Sequence, residues 1–158
     1  MVHVVGVGDM RLVDSSGEIL VTSPIGMGIA LALTDPVAKV AGILHFMLPA
    51  SDADSGRAAD HPCLFADTGI PLFLRAATAM GAAPPHMKLS MAGGAQPVDP
   101  TSLFAIGMRN QVMARKILWK SGLSIEREHV GGTRTRTMRL ETGPCRTWLL
   151  FHDGEQEL

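Results

Sequence analysis

His45 stands near the end of an apolar run, residues 40–48, which follows a second apolar run, residues 28–34, across the turn Asp35-Pro36-Val37-Ala38-Lys39. Ahead of both lies a glycine-bearing loop, Pro24 to Gly28. A loop, a hairpin and a histidine suit a nucleophile and its base, because covalent catalysis needs a thiol or hydroxyl within hydrogen-bond reach of an oriented base. The loop does not supply the thiol: where a nucleophile belongs it reads Ile25-Gly26-Met27-Gly28. Three other chemistries remain open. Cys63 could enter from a neighbouring loop, although Pro62 and Leu64 beside it are ordinary packing residues. Thr22 or Ser23 could act with His45 as a serine-type pair. A metal could join His45 to His61 or His86, but no ligand spacing supports one. No cofactor and no metal are expected. The pairs Gly93-Gly94 and Gly131-Gly132 read as turns and bulges, since neither has the Lys-bearing strand–loop–helix layout of a phosphate loop.

The 158 residues suit a single domain over 1–152, with a polar, acidic tail at 153–158 expected to be flexible. Charged residues make up 18% and hydrophobic residues 46%, an ordinary balance for a folded globular chain. Aromatics are only 4%, with no Tyr, so ten Met and many Leu, Ile and Val must fill the core. No basic region with an apolar run and cleavage site opens the chain, and no run reaches the roughly 20 residues that span a bilayer. Two cysteines make no disulfide framework, so a cytoplasmic setting without membrane insertion is expected. Net charge is −1, but residues 1–60 carry three basic against seven acidic side chains, and residues 109–146 nine against three. The basic part lacks aromatic stacking platforms, which argues for a solvated face and against nucleic-acid binding.

The two apolar runs read as strands covered on both faces. Residues 3–7 and 18–22 read as neighbouring strands, and 50–61 as a surface loop on the rim of the histidine site. Asp67 or Thr68 is expected to cap a helix carrying Ile70, Phe73 and Ala77 and ending at Gly81, with Pro71 confined to its first turn. A strand at 86–91 precedes a loop with Pro97 and Pro100. A second helix, from 103–106 to Ser121-Gly122, is expected to bury Met108, Val112, Ile117 and Leu118. Strands at 123–130, 135–140 and 146–151 complete the chain. Two helices clustered mid-chain among about eight strands predict an α+β fold, with layered sandwich-like sheets and the helices packed on one side.

Several segments in order resemble the chemoreceptor glutamine deamidases of the CheD family: VGVGDM at 5–10, ILVT at 19–22, DPVAKVAG at 35–42, HFMLP at 45–49, FADT at 65–68, AGGA at 92–95, IGMRN at 106–110 and GGTRTR at 131–136. The resemblance implies a sandwich fold and a Cys–His pair assisted by a Thr that converts receptor glutamines to glutamates. It places Thr22 at the family's threonine, His45 at its general base and Gly28 at its catalytic cysteine, 17 positions before the histidine. The nucleophile is therefore absent, and whether the chain is an enzyme turns on that absence.

The resemblance further implies partners, a CheC-like phosphatase or the cytoplasmic helices of a chemoreceptor. The leading expectation is a catalytically impaired homologue that binds such a partner. The alternative is an active protein-glutamine deamidase with a non-standard nucleophile. Gln96, Val98 and Phe104 mark an expected contact edge, although the family's Met-Phe pair after Gly-Gly-Ala is here Pro97-Val98.

Overall fold

The computed structural model describes residues 1–14, 17–52, 54–96 and 105–158. Val98 and Phe104 of the expected contact edge lie outside the described residues. The fold is α+β, in three layers. One sheet contains β1 (Val2–Val5), β3 (Ile19–Thr22), β8 (Thr137–Glu141), β9 (Arg146–Phe151) and β10 (Gly154–Glu157), in that order. The other contains β2 (Asp9–Val13), β5 (Val40–Phe46), β4 (Ile29–Asp35), β6 (Lys88–Gly93) and β7 (Ile125–Val130). Between the sheets lies a core of Val5, Leu20, Ile25, Ile43, Met138, Leu140 and Leu149. On the other face of the second sheet, Ile29, Leu31, Leu44 and Phe46 pack against α2 (Ala66–Ala79) and α3 (Ile106–Lys120) through Ile70, Phe73, Ala114 and Leu118.

This layering explains the unbroken apolar runs. Every residue of β4 and of β5 is buried, because the pair forms the middle of the second sheet with one face on the first sheet and the other on the helices. Successive side chains of a strand point to opposite faces. Ile43 therefore faces the inter-sheet core, Leu44 and Phe46 face the helices, and His45 faces the inter-sheet side. Its strand partners are Asp9 of β2 and Ala30 of β4.

Several local expectations need correction. Residues 50–61 are not one loop, since Asp54 accepts the Arg57 N–H and caps the short helix α1 (Ser55–Asp60). Helix α2 starts at Ala66, which places Pro71 inside it; its first turn carries Asp67, whose carboxylate binds the Ser51 N–H and hydroxyl instead of capping its own helix. Residues 9–13 form β2, paired antiparallel with β5. The tail expected to be flexible contributes β10, antiparallel to β9, with Arg146 and Glu157 paired at 2.8 Å.

Helix α3 departs most from expectation. Its limits agree with the sequence, but its rotation does not: it buries Gly107, Asn110, Gln111, Ala114 and Leu118, while Met108 and Val112 are exposed.

Candidate functional site

The loop that carries Gly26 and Gly28 is held from both sheets. Ile25 exchanges backbone hydrogen bonds with Arg136, 2.7 Å from Ile25 N to Arg136 O and 3.2 Å in return. Arg136 can hold that position because its guanidinium is buried and donates to the carbonyls of His129, Gly131 and Arg134. From the second sheet, the N–H groups of Gly94 and Ala95 donate to the carbonyls of Gly28 at 2.7 Å and Gly26 at 3.0 Å. From below, the side-chain amide of Asn110, fully buried, donates to Met27 O at 3.0 Å and Met47 O at 2.8 Å. Gln111 binds the Gly94 carbonyl at 3.2 Å. A buried backbone carbonyl needs a donor, and these two polar side chains of α3 provide it.

That clamp brings Gly28 alongside Met47, two residues past His45, and leaves no room for a side chain. A Cβ added to Gly28 would lie 2.6 Å from the Phe46 carbonyl oxygen, 3.5 Å from Met47 Cα and 3.6 Å from Met47 Sδ. At Gly26 nothing lies within 4 Å of such an atom. Closure is thus local to position 28.

His45 is 1% exposed. Burial pushes its imidazole below the ordinary value, opposed by a hydrogen bond with the Val5 backbone, so the ring is held toward its neutral form. Its Nδ1 lies 3.4 Å from Ser23 Oγ. Thr22 is buried too, but its hydroxyl oxygen accepts the Met138 N–H at 3.0 Å, within the first sheet. No hydrogen bond joins Thr22 to His45 among those of the described residues. The expected trio therefore divides: His45 meets Ser23, Thr22 serves β8, and Gly28 packs against the end of β5.

Cys63 belongs elsewhere. It is buried in the core on the helix side of the second sheet, across the sheet from His45, and burial raises its thiol. A raised thiol is a poor nucleophile at neutral pH. Among the described residues no group of three or more His, Cys, Asp and Glu could hold a metal ion. The described clefts also avoid the trio. One of them, about 270 Å³, opens at Pro24, Thr135, Arg136 and Thr137. Gln96 of the expected contact edge turns its side-chain oxygen to the Gly107 N–H at 2.7 Å, at the start of α3.

Asn110, Gln111 and Arg136 were missed as site-forming residues. The signal was present in α3, where two adjacent amides interrupt a helix otherwise able to bury an apolar stripe. For Arg136 the arginine-rich stretch masked which side chain turns inward.

The family described as CheD chemotactic sensory transduction matches residues 47–150, a match that begins two residues after His45. Curated relatives extend across the loop as well. A probable chemoreceptor glutamine deamidase CheD of Solibacter usitatus (strain Ellin6076) is 43% identical over 155 residues, covering 98% of this chain and 92% of the relative. A probable chemoreceptor glutamine deamidase CheD 1 of Syntrophus aciditrophicus (strain SB) is 45% identical over 138 residues, 87% of this chain and 86% of the relative. The chemoreceptor glutamine deamidase CheD of Thermotoga maritima is 34% identical over 145 residues, 90% of this chain and 88% of the relative. No helix of the described residues is long and apolar enough to cross a membrane. With a family match over most of its length and relatives of this identity along nearly all of it, the chain belongs to the CheD family of chemotactic sensory transduction.

Proposed function

We propose that this chain acts in the cytoplasm as a catalytically impaired member of the CheD family, binding a chemoreceptor or a CheC-like phosphatase without cysteine-type deamidation. The observation that carries the reading is the closed backbone at Gly28. Glycine has nothing for His45 to deprotonate, and a side chain there would meet the Phe46 carbonyl at 2.6 Å. Members of a nucleophile–base unit act together, so loss of the nucleophile alone removes nearly all of the unit's contribution. The neutral, desolvated His45 supports the same reading, since no thiolate stands beside it to keep it charged. Gln96 and the residues up to Phe104 are the proposed contact edge.

The test is incubation with a chemoreceptor cytoplasmic fragment, followed by mass spectrometry for the conversion of glutamine amide to acid. No conversion, together with measurable binding, is expected. Turnover that disappears in His45→Ala would refute the reading.

One contact favours a second reading. Ser23 Oγ lies 3.4 Å from His45 Nδ1, so a hydroxyl and a candidate base stand beside one another. In that case Ser23 is the nucleophile of a serine-type amide or ester hydrolase. It ranks second because the contact is long for a hydroxyl–nitrogen bond. Turnover that survives in wild type and vanishes in both Ser23→Ala and His45→Ala would establish it.

A further inference from the structure

Helix α3 is turned with its amides inward and part of its apolar surface outward. Asn110 and Gln111 face the body of the protein because the carbonyls of Met27, Met47 and Gly94 need donors. The same rotation leaves Met108 at 55%, Val112 at 57% and Trp119 at 77% exposure. At 3.6 residues per turn these three lie within about 40° of one another, in a stripe about 16 Å long. Isolated exposed hydrophobics need no explanation, but three aligned along one helix, with a tryptophan at the end, mark a surface that is costly to leave in water.

The charged residues of α3 itself are all cationic, and the carboxylate nearest the stripe, Glu128 of β7, is paired with Arg115 at 2.8 Å. Arg109, Lys116 and Lys120 are exposed along one side of the stripe, and Arg115 stands on the other side. An apolar ridge flanked by cations is complementary to a helix with an apolar face and acidic flanks, as in helix-to-helix recognition through anchors at i, i+4 and i+11. A lipid surface fits less well, because the cations flank a ridge only one helix wide and Trp119 projects from its end.

We infer that the outward face of α3, formed by Met108, Val112 and Trp119 with Arg109, Lys116 and Lys120, is a docking surface for an acidic amphipathic helix of a partner protein. The inference deepens the binding role proposed above and rests on it for the partner's place in chemotaxis, while the surface stands on its own geometry. Gln96 joins the two features: its side-chain oxygen binds the Gly107 N–H and lies 3.4 Å from the Met108 N, at the end of the stripe.

The test uses the full chain and a fluorescein-labelled synthetic amphipathic helix with leucines on one face and glutamates on both flanks, followed by anisotropy. Its counterpart with every Glu changed to Lys, and phosphatidylglycerol–phosphatidylcholine vesicles, are the comparison probes. The Glu helix is expected to bind saturably and more weakly in high salt. Val112→Asp and Trp119→Ala are each expected to weaken binding by about tenfold or more, while Val37→Asp, an exposed position on the β4–β5 turn, leaves it unchanged. Far-UV circular dichroism checks that the variants are folded.

Absence of saturable binding, equal binding of the Lys helix, or wild-type affinity in both α3 variants would overturn the inference. So would the finding that the α3 substitutions abolish vesicle binding, or a dimer of this chain, in place of helix binding. A chemoreceptor cytoplasmic fragment in the same assay separates the two proposals. Fragment binding that ignores the α3 variants refutes this surface and leaves the binding role, whereas Glu-helix binding at α3 without fragment binding leaves the surface and refutes the chemoreceptor as partner.

Discussion

Replacing Gly28 by alanine is expected to destabilise the protein, whereas the same change two residues earlier is not. Neither Gly26 nor Gly28 is among the glycines with positive φ, so the added methyl does not strain the backbone at either position. The difference is space. At Gly28 the new carbon would sit 2.6 Å from the Phe46 carbonyl oxygen, several tenths of an ångström inside an ordinary contact. Neither wall can easily withdraw: Asn110 holds the Met47 carbonyl at 2.8 Å and Gly94 N–H holds the Gly28 carbonyl at 2.7 Å. Overpacking of this kind costs about 1–3 kcal/mol. The lower entropy of the unfolded alanine chain returns about 0.4–1 kcal/mol. The two terms leave a net loss centred on about 1 kcal/mol, or roughly 2–4 °C in Tm for a chain of this size. At Gly26, with nothing within 4 Å, only the entropic term applies and the change is neutral or slightly stabilising.

Denaturant midpoints by circular dichroism, with calorimetric Tm, measure both variants. A Gly28→Ala midpoint equal to or above wild type would refute the closed site. The chemistry can be probed in parallel with Gly28→Cys, whose thiol is expected to alkylate no faster than the partly exposed Cys145. Faster reaction would mean an open and activated position.

Other expectations concern the residues around the site. Asn110→Ala removes both donors to the Met27 and Met47 carbonyls and should cost on the order of 2–4 kcal/mol in a urea titration; a loss below about 1 kcal/mol would mean that water replaces the amide. Because burial lowers the His45 imidazole in the folded state, the unfolded chain binds that proton more tightly. This contribution to stability is complete above the unfolded value of about 6.5 and is lost as pH falls through the window below it. His45→Leu should therefore reduce the fall in stability between neutral and mildly acidic pH, and an unchanged slope would contradict the assignment. Burial pushes the Asp35 carboxyl up, but the N–H groups of Ala38, Ala83 and Val37, with His86, outweigh it and hold the group below its usual value. Its stabilisation is present above about pH 4, the unfolded value, and is lost as pH falls through the lower folded value. Asp35→Asn should lower stability at neutral pH and flatten the acid limb of the stability curve, which would stay unchanged if the carboxylate contributed nothing.

Much of the architecture is legible before any coordinates. The runs around 28–34 and 40–48 announce a hairpin buried on both faces, since only a central strand pair tolerates apolar residues at every position. The limits of α3 follow from its Gly122 stop, and the ordered family segments place His45 and Gly28. Strand β2 was not legible, because Asp9 to Val13 alternates over only five residues and follows a turn. Strand β10 was hidden as well: Gly154–Glu157 is polar and fully exposed, and it is ordered by pairing with β9, not by burial. Pro71 inside α2 broke a local rule, since Pro lacks the N–H that a helix interior uses.

By itself the amino-acid sequence determined the α+β class, the central hairpin, the family and the absence of a nucleophilic side chain at position 28, because each rests on residue identity, order and spacing. Tertiary structure decided the rest. Which stripe of α3 faces inward depends on carbonyls at Met27, Met47 and Gly94, brought together from three distant segments, and no helical periodicity records them. That Ser23, and not Thr22, meets His45 depends on how the two sheets stack. The closure of position 28 likewise depends on the approach of the Phe46 carbonyl across the strand pair, a contact between backbones that no side chain in the sequence encodes.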